Sequence, residues 1–228
     1  MALPLAVVVG GTSAQTVGTS PSNATLRVGA TTELIVDELH GRYYETTARK
    51  AMYAGANLAG VTTTAGFATT YTGMAITNPI GSTVNLVLNK VSYATLVAQT
   101  AGLILGIMTG YSASTAVTQT TALVPLSNFV GNSAGTGLIA SAVTMPVAPT
   151  RLILLDTLLT GAITTVVNGG KVIDLEGGLV IPPGGYAAFY TSAASVASSL
   201  VLRLMIYVRK ALIQMMSLYS IMILIKNK

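Results

Sequence analysis

From residue 54 onward the chain is written in short apolar runs separated by Gly, Thr, Asn and Pro, the spacing expected of strands and turns. Within the runs the period is two. Val84, Leu86 and Leu88 share one face of residues 83–90, with Asn85 and Asn89 on the other, as in a half-buried strand. Val91, Tyr93 and Thr95 continue the period on the Asn parity, so a bulge or turn is expected near Asn89 and Lys90. Residues 200–209 alternate again. Leu202, Leu204, Ile206 and Val208 point one way, and Arg203, Met205, Tyr207 and Arg209 the other.

Further strands are expected over residues 69–76, 103–111, 138–145, 151–159 and 162–167, most of them bounded by Gly, Pro or Ser. Residues 97–108 are ambiguous, because Ala, Leu, Gln and Met also favour helix, but Gly102 and Gly106 argue for strand or bulge. The clearest local signal is KVIDLEGGLVIPPGGYAAFYTSA, residues 171–193. It places Asp174 and Glu176 on one strand face, turns at Pro182-Pro183-Gly184-Gly185, and leaves through residues 186–190. Proline fixes the turn entry and glycine supplies positive φ. The alternation of residues 200–209 then suits a final strand hairpinned onto residues 186–190. No repeat of solenoid or propeller length is visible. The expected fold is all-β: a jelly-roll-like β-sandwich over residues 33–209, with an extended Gly/Thr/Ser arm at 1–32 and an apolar basic tail at 210–228.

Composition decides what such a sandwich could do. Charged residues make up 8% of the chain, against roughly 25% in ordinary soluble domains, so Thr, Ser and Asn must coat whatever surface stays wet. An outside of that kind is expected to be covered by other copies or other proteins. Residues 1–199 carry balanced charge, and the net +5 comes from Arg203, Arg209, Lys210, Lys226 and Lys228. A neutral body argues against a nucleic-acid groove. With no cysteine there is no disulfide framework. Residues 2–9 are apolar but run into Gly10-Gly11 without a basic residue, a poor fit to a signal peptide. Arg203, Arg209 and Lys210 interrupt the apolar tail, so a spanning helix is not expected. Burial of the tail against the body or neighbouring subunits is the expectation. Its shift to Lys, Ile, Met and Leu also suits a shifted reading frame or a replaced terminus.

Few side chains are equipped for chemistry. The most charged stretch of the body, residues 33–50, holds Glu33, Asp37, Glu38, His40, Arg42, Glu45, Arg49 and Lys50, and any recognition by charge is expected there. His40 with Asp37 and Glu38 supplies too few ligands for zinc. His40 is also the one imidazole available to activate a nucleophile, and no Gly-x-Ser-x-Gly elbow occurs. Asp156, Asp174 and Glu176 could in principle furnish paired carboxylates, yet no tryptophan offers a sugar platform. The glycines at 10–11, 135–137 and 169–170 lack the Lys-Ser/Thr of a P-loop and the third Gly of a dinucleotide fingerprint. No catalytic, cofactor-binding or metal-binding residue is assigned, and a non-enzymatic role is expected. The alternatives are a receptor-binding or adhesin module that contacts a host glycan through loops around residues 33–50, and a membrane-associated protein anchored by residues 200–225.

Four stretches carry a resemblance: ELIVDELHGRYYETTARKAMYAGAN at 33–57, AGVTTTAGFATTYTGMAITNP at 59–79, GIMTGYSAS at 106–114 and DLEGGLVIPPGGYAAFYTSA at 174–193. Together they resemble uncharacterised structural proteins encoded by tailed bacteriophages, over roughly residues 33–195. The resemblance implies a jelly-roll or related sandwich, often trimeric, that decorates a capsid or forms a spike or fibre of the virion. The implied partners are further copies of the chain and other capsid or tail proteins. No catalytic residues come with it.

Overall fold

The computed structural model describes residues 42–132, 135, 137–158 and 169–210. The chain divides into two units, residues 1–44 and 45–228. In the first, the Arg42 guanidinium lies 5.5 Å from the centre of the Tyr43 ring. A short helix, α1 (Tyr44–Ala48), ends where Lys50 turns left-handed at φ 58°. The Lys50 amide donates back to the Thr47 carbonyl at 2.9 Å, satisfying one of the carbonyls a helix end leaves open.

Among the described residues the second unit holds β1 (Met52–Ala56), β2 (Thr70–Thr77), β3 (Val84–Thr95), β4 (Leu103–Tyr111), β5 (Thr118–Leu123), β6 (Leu126–Ser127), β7 (Leu138–Thr144), β8 (Arg151–Leu158), β9 (Gly170–Ile181), β10 (Gly185–Thr191) and β11 (Leu200–Lys210). They form two antiparallel sheets, ordered β6-β1-β11-β3-β9 and β5-β7-β2-β10-β4-β8. With β5–β7 set aside, eight strands remain, and they pair outside in. The first joins the last (β1·β11), the second the seventh (β2·β10), the third the sixth (β3·β9) and the fourth the fifth (β4·β8). Consecutive pairs alternate between sheets, as in one long ribbon of paired strands rolled on itself. β5, β6 and β7 widen both sheets on the side away from β8 and β9.

The two inner faces meet in one core, with Met74, Ile76, Leu105, Ile107 and Phe189 from one sheet against Leu86, Leu88, Leu202, Leu204 and Ile206 from the other. An all-β sandwich is therefore the fold. The expected bulge in β3 is present: the register shifts between Leu88 and Lys90 against β9, and at the same place against β11. Against β11 Asn89 is the extra residue, while against β9 it stands opposite residues 175–178, and Leu86 and Leu88 before it and Val91 and Tyr93 after it all face the core. Residues 97–108 enter a strand at Leu103, with Gly106 at a register shift against β8.

The Pro-Gly turn forms as expected, with Gly184 at φ 82° and the Gly185 amide donating to the Pro182 carbonyl at 2.8 Å. A Cβ on Gly184 would lie 2.4 Å from the Ser112 carbonyl oxygen, so close approach and conformation both require glycine. The turn carries the chain from one sheet to the other, because β9 and β10 are not neighbours.

One expectation is corrected. β11 does not hairpin onto β10; it crosses to the opposite sheet and pairs with β1 and β3. Alternation reports which face of a strand is buried and is silent on its neighbour, and both inner faces are equally apolar. Three strands also went unanticipated. MYAGA, TQTTAL and LS, the sequences of β1, β5 and β6, are small or Thr-rich and carry no apolar alternation. The arm at 1–32, the residues at 33–41, the run at 162–167 and the tail from 211 lie outside the described residues. Among the described residues no helix is long and apolar enough to cross a membrane.

Candidate functional site

Chemistry-bearing side chains gather on the side of the sandwich edged by β8 and β9. The pairing of β4 with β8 shifts register between Leu105 and Gly106, which face Asp156 and Leu154, leaving Leu155 as the extra residue. That bulge turns Asp156 inward, opposite core residue Leu105. Its Oδ2 accepts a hydrogen bond from the Tyr93 hydroxyl at 2.7 Å and lies 3.0 Å from Lys171 Nζ. Tyr93 and Lys171 are cross-strand partners on β3 and β9. A carboxylate on one sheet is thus clasped by a phenol and an ammonium from the other.

The Tyr93 hydrogen bond, followed by that from Lys171, holds the Asp156 carboxyl below its usual range. Burial, with the carboxylate beside it, pushes the Tyr93 hydroxyl well up. A depressed carboxyl contributes stability that is present above its unfolded value of about 3.9 and is lost as pH falls through the folded value. The Asp156 side chain is 24% exposed, so solvent weakens the clasp. Asp156→Asn is expected to cost about 1–2 kcal/mol at neutral pH. Urea titrations from pH 7 down to acid check this: the two proteins should converge below the carboxyl range, and a gap that persisted there would assign the loss to packing.

Asp174 stands elsewhere, on the outer face of its sheet. It lies 3.4 Å from Lys90 Nζ, and its Oδ1 accepts the Glu176 amide at 2.8 Å, which holds Glu176 in a left-handed conformation at φ 52°. Asp156 and Asp174 are therefore split between the inter-sheet gap and the outer face. Of the charged stretch at 33–50, Glu33, Asp37, Glu38 and His40 lie outside the described residues. Lys50 sits 5.7 Å from the Phe129 ring centre. Among the described residues no group of three or more His, Cys, Asp or Glu could hold a metal ion. Of the glycine runs, Gly10-Gly11 lies outside the described residues, Gly135 lies against the Tyr53 ring, and the Gly169 carbonyl accepts the Thr95 amide at 2.9 Å.

A cleft of about 270 Å³ opens on the same side, at the other end of β8. Leu103, Leu105 and Ile107 fill the inner positions of β4. The same parity continues through Thr109 and Tyr111, and Arg151 of β8 stands opposite Thr109. Where the core alternation calls for apolar side chains, this end supplies hydroxyls, a phenol and a guanidinium. Leu179, Val180, Ile181 and Pro182 form the facing wall. Tyr111 is 57% exposed. No signal in the separate runs marked this cleft; only continuing the inner parity of β4 past Ile107 would have found it.

Fold and site together define an antiparallel β-sandwich protein with a carboxylate clasp and a polar cleft on one open side. The chain matches no protein-family model, no curated protein and no solved structure.

Proposed function

We propose that this chain is a non-enzymatic structural protein of a tailed-bacteriophage virion, a capsid decoration, spike or fibre component that assembles as a homotrimer and seats against other capsid or tail proteins. The observation that carries the reading is the exposure of apolar side chains on two unlike, opposed sides. Leu154 on β8 and Val172 on β9, each 66% exposed, project from the outer faces of the two edge strands, and Leu126 at 65% and Val130 at 93% lie at and beside β6 on the other edge. Two different sticky sides favour head-to-tail contacts, which close into rings when the rotation permits. Such contacts also cover strand edges that would otherwise pair promiscuously. The outside-in pairing supports a jelly roll, a double sheet of eight strands that recurs in viral capsid domains. The low charge of the chain fits the same role, since little on its surface keeps copies apart.

Light scattering on the purified chain at micromolar concentration tests the reading. The expected mass is about three times the 23.3 kDa of one chain, and Leu154→Lys is expected to release monomers. A wild-type protein that stays monomeric would contradict it.

A further inference from the structure

We propose that the cleft beside Arg151 binds the carboxylate of a uronic acid residue in a saccharide. The proposal does not rest on the assembly reading, but it requires that the Arg151 end of the β8/β9 side stay outside any contact between copies, and the monomer expected from Leu154→Lys must bind as the wild type does. Its starting point is Arg151, an exposed residue at the head of the edge strand β8 that holds an inner-parity position opposite Thr109, next to the pair Ile107 and Ile153. Among the described residues its guanidinium has neither a hydrogen bond nor an ion pair. Asp156, the carboxylate of the same strand, lies five residues away, about 17 Å along an extended chain, and is engaged by Tyr93 and Lys171. An unpaired guanidinium at the mouth of a cleft is a fork shaped for a planar carboxylate, which it grips through two parallel hydrogen bonds.

The rest of the cleft selects what carries that carboxylate. The exposed ring of Tyr111 offers a flat face for the C–H side of a sugar, and Thr109 and Thr150 add hydroxyls. Val180 and Pro182 close the opposite wall with apolar surface. A few placed polar groups on a mostly apolar wall is the usual make-up of a small-ligand site. One cation suits the single charge of a carboxylate better than the double charge of a phosphate. A peptide's terminal carboxylate would instead call for a nest of backbone amides.

Titration calorimetry on the full chain tests this with methyl glucuronide, methyl glucoside and acetate as probes. Glucuronide is expected to bind at least about tenfold more tightly than either of the others, and more weakly as salt rises. Arg151→Ala should erase the preference for acid over neutral sugar, and Arg151→Lys should lose most of it. Tyr111→Ala should weaken both sugars while the preference survives. Thermal melts confirm that these surface variants fold. Equal binding of glucuronide and glucoside, acetate binding as tight as glucuronide, or a preference retained in Arg151→Ala would each overturn the proposal.

Discussion

Deleting Asn89 is expected to abolish cooperative folding, whereas Asn89→Ala should leave the sandwich intact. The side chain contributes little: its amide nitrogen is buried with no hydrogen-bond partner among the described residues. What the position contributes is one residue of register. With it, Leu86 and Leu88 on one side and Val91 and Tyr93 on the other all reach the core, Val91 at 1% and Tyr93 at 7% exposure. Without it, one half of β3 must turn over, because side chains alternate strictly along a strand. If the second half turns, Val91 and Tyr93 face outward and Lys90 points into the core. If the first half turns, Leu86 and Leu88 are lost instead. Each exposed side chain forfeits about 1.5–3 kcal/mol, and an unpaired buried ammonium costs several more. Those losses rival the roughly 5–15 kcal/mol that holds a typical domain together. Urea unfolding followed by circular dichroism decides: a cooperative transition in the deletion variant within about 1 kcal/mol of wild type would show that the bulge does not set the register.

Asn57→Ala is expected to cost about 2–4 kcal/mol, a large effect for one amide on the rim of the core. Asn57 follows the last residue of β1 and keeps pairing with β11 after the strand has ended. Its backbone amide donates to the Leu202 carbonyl at 3.2 Å, and its Oδ1 accepts the Leu202 amide at 2.6 Å. Its Nδ2 donates to the Leu200 carbonyl at 3.2 Å. The Leu200 carbonyl also accepts the Val61 amide, so truncation leaves it a partner. The Leu202 amide has no such substitute and would be orphaned beside a core residue 1% exposed. Asn57→Asp keeps the acceptor but places a charge in the same dry site, and should be no better than alanine. The urea midpoint should fall with an unchanged slope. A loss below about 1 kcal/mol would mean that water or a backbone shift replaces the amide.

Much of this fold was legible because period two is a direct image of a two-faced strand. The parity switch from Leu88 to Val91 gave away the bulge, and Pro182 with Gly184 gave away the turn. Neighbour relations were not legible, since Leu202, Leu204 and Ile206 would bury equally well in either sheet. Strands built from Ala, Gly and Thr, such as β1 and β5, left no alternation to follow. The clasp stayed hidden for a related reason: Leu154 and Leu155 are both apolar, so nothing in residues 151–159 betrays the bulge that aims Asp156 at Tyr93. The cleft escaped notice because Arg151 resembles a surface charge until its cross-strand partner Thr109 is known to continue the core face.

Amide hydrogen exchange, read by mass spectrometry on the full chain over a range of concentrations, tests most directly whether sibling chains cover the open sides. β8 and β9 are expected to exchange slowly when the protein is concentrated and faster on dilution, or in Leu154→Lys, while β10 and β11 stay protected throughout. Exchange in β8 and β9 that is fast and indifferent to concentration would contradict this.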